Sequence, residues 1–209
     1  QAIRGARDPA DIRSVRRLSM RYKLAVAVGL VTLFVVSRVA LLETSYDANQ
    51  NWEEPVFLFS ATALAHDGIG RIFDHQDDLN HGGSVALLAL AVPWVRTLGT
   101  SLVTLKGLAI LWSTITLVAF MAVGWRYLSP QAALVWGAAT VALSPTAARL
   151  DVTLVGSHPE ALLPCALALG VYLAWARGRH TPSGERVMLA ALLGLWCGVD
   201  CGTHIQRIV

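Results

Sequence analysis

Long runs of apolar residues, separated by polar connections, constrain this chain more than any other feature of its sequence. The first run, residues 24–42, holds about nineteen mostly apolar residues. At 1.5 Å per residue, a helix of that length crosses a hydrocarbon layer of roughly 30 Å. Hydrophobic residues make up 55% of the chain and charged residues 15%, and the mean hydropathy is +0.53. This composition is typical of a polytopic membrane protein rather than of an ordinary soluble domain. The sequence therefore predicts an all-α integral membrane protein.

Further apolar runs predict the rest of a membrane domain, which we place at residues 24–199. About five membrane helices are expected, at residues 24–42, 102–125, 132–143, 161–175 and 187–199. Residues 84–98 contain only about eleven consecutive apolar residues, and Pro93 interrupts them. A run of that length more often lies at the membrane interface or re-enters than spans. We expect it to lie at the surface.

Basic residues indicate the orientation. Residues 1–23 form a basic arm with seven Lys and Arg residues, which the positive-inside rule places in the cytoplasm. Residues 43–83 then form a large outer loop. If residues 84–98 lie at the surface, Arg126 and Arg177 fall inside and residues 145–160 form a second outer loop. An uncleaved anchor is preferred to a cleaved signal peptide, because Arg38 interrupts the first run and no A-x-A site follows it. The expected location is the bacterial cytoplasmic membrane rather than the endoplasmic reticulum.

Two further features bear on the class of protein. The three cysteines lie in or beside apolar runs, so they are expected to be small buried residues rather than a disulfide framework. The sequence contains no basic stripe interleaved with aromatic residues, so we expect no nucleic-acid partner. Residues 200–209 break the apolar pattern with His204 and Arg207, so we expect a truncated or altered C-terminal end.

The large outer loop is acidic and carries one predicted interfacial helix. Residues 55–65 begin with Pro55, which suits the first turn of a helix, and they follow Glu53 and Glu54. The two carboxylates then lie at the N-terminal end, where the helix dipole favours negative charge. Such a pair is suited to act as a general base toward a hydroxyl, amine or amide group. The alternative is a solvated charge pair with no further role.

The second outer loop contains another polar group, with His158 and Glu160 preceded by Arg149. Polar residues between two membrane helices are costly unless they face water or serve a function. Glu160 could instead simply open the next helix. His158 and Glu160 are also metal-ligand types, but two ligands do not make a site. His81 precedes two glycines, which suits either a close approach to a phosphate or a plain turn.

Together these features resemble the GT-C superfamily of membrane glycosyltransferases, which includes protein O-mannosyltransferases, aminoarabinose transferases and the oligosaccharyltransferase catalytic subunit. The string EEPVFLFSATALAHDGI is similar to that family's acidic pair followed by an aromatic residue, small residues and a glycine. The string RLDVTLVGSHPEAL is similar to its second outer loop. Glu53 stands where the family usually has a catalytic Asp.

The resemblance implies transfer of a sugar from a polyprenyl-phosphate donor to an acceptor at the outer face of the membrane. The residues it implies are Glu53, Glu54, His158 and Glu160 for catalysis and substrate positioning, and Arg149 and His81 for phosphate contact. It leaves open whether a divalent ion, Mg²⁺ or Mn²⁺, takes part. Members of the family have more membrane helices than this chain, so we expect an N-terminal part that is inactive alone.

Two other classes of protein remain open. The first is a non-catalytic membrane subunit, whose outer loop docks a partner and whose helices pack with other subunits. The second is a transporter, which would carry charges deep within its spans, and only Arg38 and Lys106 come close. The expected partners are membrane lipid, a lipid-linked sugar and an acceptor that the sequence does not identify.

Overall fold

The structure, a computed structural model, describes residues 9–44, 53–68, 85–154 and 162–177 of the 209-residue chain. Within these ranges the chain forms α-helices and no strand. The helices are α1 (Pro9–Thr44), α2 (Glu53–Asp67), α3 (Val85–Leu98), α4 (Leu102–Tyr127), α5 (Pro130–Val141), α6 (Pro145–Leu150) and α7 (Leu162–Arg177). The predicted all-α class is confirmed for the described part of the chain.

Two helices are long and apolar enough to cross a membrane, as judged by length and composition. They are Met20–Thr44 within α1, and α4. Two shorter apolar helices, Leu87–Leu98 and Leu162–Arg177, fall below that length. The predicted runs at residues 132–143 and 161–175 overlap α5 (Pro130–Val141) and α7 (Leu162–Arg177). The described residues thus contain two helices of spanning length against the five expected, and the run at residues 187–199 lies outside them.

The first helix is longer than the apolar run that predicts it. It begins at Pro9, so the residues expected to form a basic arm continue the same helix back from the apolar run. Arg and Lys are good helix formers, and extending an existing helix costs far less than nucleating one. The arm therefore continues the helix that the apolar residues stabilise.

Helices α1 and α4 run antiparallel. Phe34 packs with Leu117 and Met121, and Leu24, ten residues earlier in α1, lies in the same groove as Trp125. Moving toward the C-terminus of α1 therefore corresponds to moving toward the N-terminus of α4. Helix α5 follows the direction of α1. A Cβ added at Gly137 would lie 3.3 Å from Leu30, and farther along, the carbonyl of Thr140 accepts a hydrogen bond from Arg38.

Helix α7 runs in the direction of α4. Its Gly170 lies against Val123, and its last residue, Arg177, donates to the backbone carbonyls of Arg126 and Tyr127 at the end of α4. Helices α1, α4, α5 and α7 consequently form an up-and-down bundle with two ends.

The two ends of this bundle differ in what they carry. We call the end marked by Arg38, Lys106 and Thr140 the loop end, and the end marked by Lys23, Arg126 and Arg177 the basic end. The guanidinium carbons of Arg126 and Arg177 lie 5.7 and 5.4 Å from the centroid of the Tyr127 ring. Both arginines therefore lie at one end of the bundle.

Helices α2 and α3 connect α1 to α4 at the loop end. The indole nitrogen of Trp94 donates to the carbonyl of Thr104 at 2.8 Å, and the guanidinium of Arg96 donates to the carbonyl of Ala65 at 2.6 and 3.0 Å. Helix α3 has 14 residues, about 21 Å, which is shorter than a hydrocarbon layer of roughly 30 Å. Because α1 and α4 are antiparallel, α1 ends and α4 begins at the same end of the bundle. The connection between them therefore does not require α3 to span the length of the bundle.

A continuous apolar core joins α2, α3 and the first half of α4. Helix α2 contributes Phe57, Ala61 and Leu64, which recur at helical spacing on one face. They pack against Leu88, Ala91, Val92 and Val95 of α3 and against Leu105, Leu108 and Ala109 of α4. The helix predicted at residues 55–65 is confirmed, and its apolar face is buried against neighbouring helices. Cys165 in α7 is exposed, so the expectation of burial is wrong for this cysteine.

Candidate functional site

The candidate site is built around the first turn of α2. Glu53 and Glu54 both lie in that turn, as the sequence predicts. Consecutive residues of a helix point about 100° apart, so the two carboxylates face different surroundings. Glu53 is half-buried, whereas Glu54 is 1% exposed. The pair is therefore chemically unequal.

Glu54 forms an ion pair with Lys106 of α4. The ammonium nitrogen lies 2.8 Å from Oε2 and 3.0 Å from Oε1, and both side chains are buried. The backbone N–H of Leu154 donates to Oε1 at 3.3 Å, and Lys106 donates at 3.5 Å to the carbonyl of Val152. Charges buried in this way are tolerated because each has an opposite charge and further hydrogen bonds. The carboxylate of Glu54 is fully engaged in holding three chain segments together.

A second ion pair lies at the same end, between Arg38 of α1 and Asp151. Arg38 contacts Oδ2 of Asp151 through Nη2 at 2.8 Å and Nε at 2.9 Å, and it donates to the carbonyl of Thr140 at 3.2 Å. Its guanidinium also lies 4.4 Å over the ring of Phe34. Burial raises the pKa of the Asp151 carboxyl above its ordinary value of 3.8, although the hydrogen bond and positive charge of Arg38 oppose that rise.

Residues 151–154, which we call the connecting segment, join the two ion pairs. At its start the Asp151 side chain binds Arg38, and its carbonyl accepts a hydrogen bond from Ser113 at 3.1 Å. At its end the Leu154 N–H binds Glu54, a residue 100 positions earlier in the chain. Val152 and Leu154 are buried. Residues 151–154 are thus fixed to the start of α2.

The structure brings some of the predicted site residues together and leaves others undescribed. Glu53 and Glu54 lie at the start of α2, and Arg149 lies exposed in α6, just before the connecting segment. His81, His158 and Glu160 lie outside the described residues, and the expectations about them stay predictions.

The possible divalent ion receives no support from the residues that the structure describes. Among them, no group of three or more His, Cys, Asp or Glu side chains is placed to hold a metal ion. Glu54 faces an ammonium group instead, which takes up the negative charge that a cation would need.

Sequence reasoning missed the partners of the two cations inside apolar helices. Arg38 and Lys106 stood out as charges within predicted spans, but Glu54 and Asp151 were not assigned to them. A charge in an apolar helix is expensive unless an opposite charge meets it. Requiring a nearby carboxylate for each cation would have pointed to the two acidic outer segments.

No protein-family model, curated protein or solved structure matches this chain at a significant level. The resemblance to membrane glycosyltransferases consequently rests on the short strings around Glu53 and Arg149 and on the arrangement of loops.

Proposed function

We propose that the chain is the N-terminal part of a GT-C type glycosyltransferase embedded in the bacterial cytoplasmic membrane, with its basic end in the cytoplasm. The loop end then faces outward and carries the reacting groups. The observation that carries this proposal is the hydrogen bond from the Leu154 N–H to Glu54. It fixes the second outer loop to the acidic first turn of α2, which belongs to the large outer loop. Two acidic outer loops held together at one end of a bundle form a suitable place for an acceptor.

In this proposal Glu53 is the base. It is half-buried in the first turn of α2 at the loop end, and a carboxylate at this position can accept the proton of an acceptor group. The acceptor oxygen forms a bond to the anomeric carbon, the bond from that carbon to the donor phosphate breaks, and the acceptor proton passes to Glu53. Polyprenyl phosphate is the leaving group.

Glu54 has a different role, as a positioning residue. Its carboxylate is buried and bound by Lys106 and by the Leu154 N–H, so it does not reach a substrate at the surface. It holds the start of α2 in register with α4 and the connecting segment. This role keeps Glu53 oriented without any contact between Glu54 and substrate.

The rival proposal is a non-catalytic membrane subunit. The neutralisation of Glu54 by Lys106 favours it, because the more deeply placed acid of the pair then serves structure alone. In that case the loop end docks another protein, and Glu53 is part of a polar surface.

Sugar transfer in membranes separates the two proposals. Membranes containing the full-length protein are supplied with labelled polyprenyl-phosphate mannose or glucose, and the label that leaves the lipid phase for protein or polysaccharide is measured. Glu53→Gln keeps the size of the side chain and removes the base, so transfer should fall by about 100-fold or more.

The matched control is Glu43→Gln, which removes an exposed acid at the same end of the bundle, in the last turn of α1. This variant should transfer as well as the wild type. Equal transfer by Glu53→Gln and the wild type removes Glu53 from catalysis. Absence of transfer by all three proteins with both donors favours the subunit proposal.

A further inference from the structure

An apolar groove runs between α1 and α4 on the side of the bundle. Its volume is about 380 Å³, within the range of pockets that hold small ligands. Residues lining it include Leu24, Val28 and Val31 of α1 and Val118, Met121 and Trp125 of α4. Leu24 and Val28 are each 59% exposed and Val118 is 45% exposed, so the groove opens outward along its length. Such a contiguous apolar surface indicates an apolar partner.

Cations stand at one end of this groove. Leu24 and Trp125 line it, and their sequence neighbours are Lys23 and Arg126. Arg126 is exposed and Lys23 is half-buried, and each lies about 1.5 Å along the helix axis from the lining residue beside it. Neighbouring residues point about 100° apart around a helix, and the Arg126 guanidinium lies 5.7 Å over the ring of Tyr127, so the two cations stand at the level of this end of the groove and beside its lining. Long basic side chains at such positions keep their stems on apolar surface and extend their charged heads to the interface.

Most acidic residues in the described helices and the connecting segment lie at the loop end: Glu43, Glu53, Glu54, Asp67 and Asp151. Asp11 also belongs to α1, but it precedes Lys23 by twelve residues, about 18 Å along the helix axis. The basic end, by contrast, carries Lys23, Arg126 and Arg177. An anionic group at the mouth of the groove would therefore meet positive charge.

We propose that the groove binds one acyl chain of an anionic phospholipid, whose phosphate is held by Lys23 and Arg126. The proposal rests on the placement of the bundle in a membrane, and it is independent of sugar transfer. The apolar lining provides for the hydrocarbon chain, and the two cations select a net negative headgroup over a zwitterionic one. A basic residue near an anionic membrane surface contributes roughly fivefold in affinity.

Quenching of tryptophan fluorescence by brominated lipid tests this proposal. The protein is reconstituted in phosphatidylcholine bilayers, and phosphatidylglycerol or phosphatidylcholine with brominated acyl chains is added at increasing mole fraction. The signal of Trp125→Phe, subtracted from that of the wild type, isolates quenching at Trp125. Half-maximal quenching should occur at a mole fraction roughly 5 to 25 times lower for phosphatidylglycerol, given two basic residues.

Two variants test the two parts of the site. Lys23→Gln with Arg126→Gln should remove the preference for phosphatidylglycerol, whereas Arg96→Gln, an exposed arginine at the loop end, should retain it. Ala122→Phe fills the groove and should weaken quenching of Trp125 by both lipids. Circular dichroism confirms that each variant keeps its helix content.

Two results would overturn the proposal. Equal quenching of Trp125 by the two brominated lipids shows that the cations do not select a headgroup. Absence of quenching at Trp125 shows that the groove is occupied by a protein helix, from this chain or another. Neither readout depends on a sugar donor, so failure here is distinct from failure of the proposed transferase.

Discussion

The ammonium group of Lys106 lies 2.8 Å from the carboxylate of Glu54, and both side chains are buried. This ion pair joins α4 to the first turn of α2, and the hydrogen bond from Leu154 adds the connecting segment to the same point. Lys106 would be costly inside an apolar helix on its own, and Glu54 would be costly beneath α2. Each is tolerated because of the other, so the loop end depends on both.

Breaking the pair from one side should be strongly destabilising. Lys106→Met leaves the Glu54 carboxylate buried without its counter-charge, and Glu54→Gln leaves the ammonium in the same position. Each variant should lower the free energy of unfolding by about 3–5 kcal/mol. The combined variant should lose much less than the sum, because no uncompensated charge remains. Unfolding of the purified protein in mixed detergent micelles measures all three.

The control for this cycle is Glu43→Gln, which neutralises an exposed acid at the same end and should change the unfolding free energy by about 0.5 kcal/mol or less. Strict additivity of the two single changes would mean that Glu54 and Lys106 do not interact energetically. The proposed positioning role of Glu54 would then be abandoned.

The helices were predictable from the sequence because local apolar patterns and turn residues set them. The run at residues 102–125 predicts α4, and the helix begins at Leu102 after Ser101, whose side chain accepts from the Thr104 N–H. Gly99, with a φ of +92°, ends the preceding turn in a conformation that favours glycine. The start of α1 was not predictable from apolar residues, because basic residues extend that helix back to Pro9.

The partners within the candidate site were not predictable in the same way. Glu54 and Lys106 lie 52 residues apart, and no local rule of helix or turn formation relates them. The sequence did predict that Glu53 and Glu54 share the first turn of α2, but which of the two faces the interior depends on the neighbouring helices. That choice decides which acid is available for chemistry.

Asp151 should give the stability of the protein a distinct dependence on pH. Burial raises the pKa of its carboxyl above 3.8, so the folded protein holds this proton more tightly than the unfolded chain does. Its contribution to stability is present below pH 3.8 and is lost as the pH rises through the folded pKa. The unfolding free energy of the wild type, relative to Asp151→Asn, should therefore decrease as the pH rises through this window.

The measurement is chemical unfolding of both proteins across that pH range at constant ionic strength. Other groups titrate in the same range, and the difference between wild type and variant cancels them. An increase in the difference with rising pH would show that the ion pair with Arg38 outweighs burial at Asp151. A constant difference would show that burial and the ion pair balance.

Two glycines in helix interiors should respond oppositely when a side chain is added. A Cβ added at Gly29 of α1 meets no atom within 4 Å, so Gly29→Ala should stabilise the protein by about 0.5–1 kcal/mol through helix propensity. A Cβ at Gly137 of α5 lies 2.9 Å from the sulfur of Met121. Gly137→Leu should destabilise by about 1–3 kcal/mol, because close packing of α5 leaves no room.

Ala139→Leu is the matched control for the second of these changes, because Ala139 is an exposed position on the same helix. It should leave the unfolding free energy within about 0.5 kcal/mol of the wild type. Equal losses from Gly137→Leu and Ala139→Leu would show that α5 does not pack against Met121 as closely as the structure has it.

The antiparallel bundle makes a sharp prediction about sidedness. Thr100, in the turn between α3 and α4, and Arg149 of α6 are exposed at the loop end, while Leu128 is 73% exposed at the basic end. Single cysteines at these positions are introduced after Cys165, Cys197 and Cys201 are replaced by serine. In intact cells, an impermeant maleimide should label Thr100→Cys and Arg149→Cys, and it should label Leu128→Cys only after permeabilisation.

Labelling of Thr100→Cys and Arg149→Cys from opposite sides would contradict the up-and-down order of α4 and α5. Labelling of Leu128→Cys alone in intact cells would preserve the bundle but place its basic end outside, against the positive-inside rule.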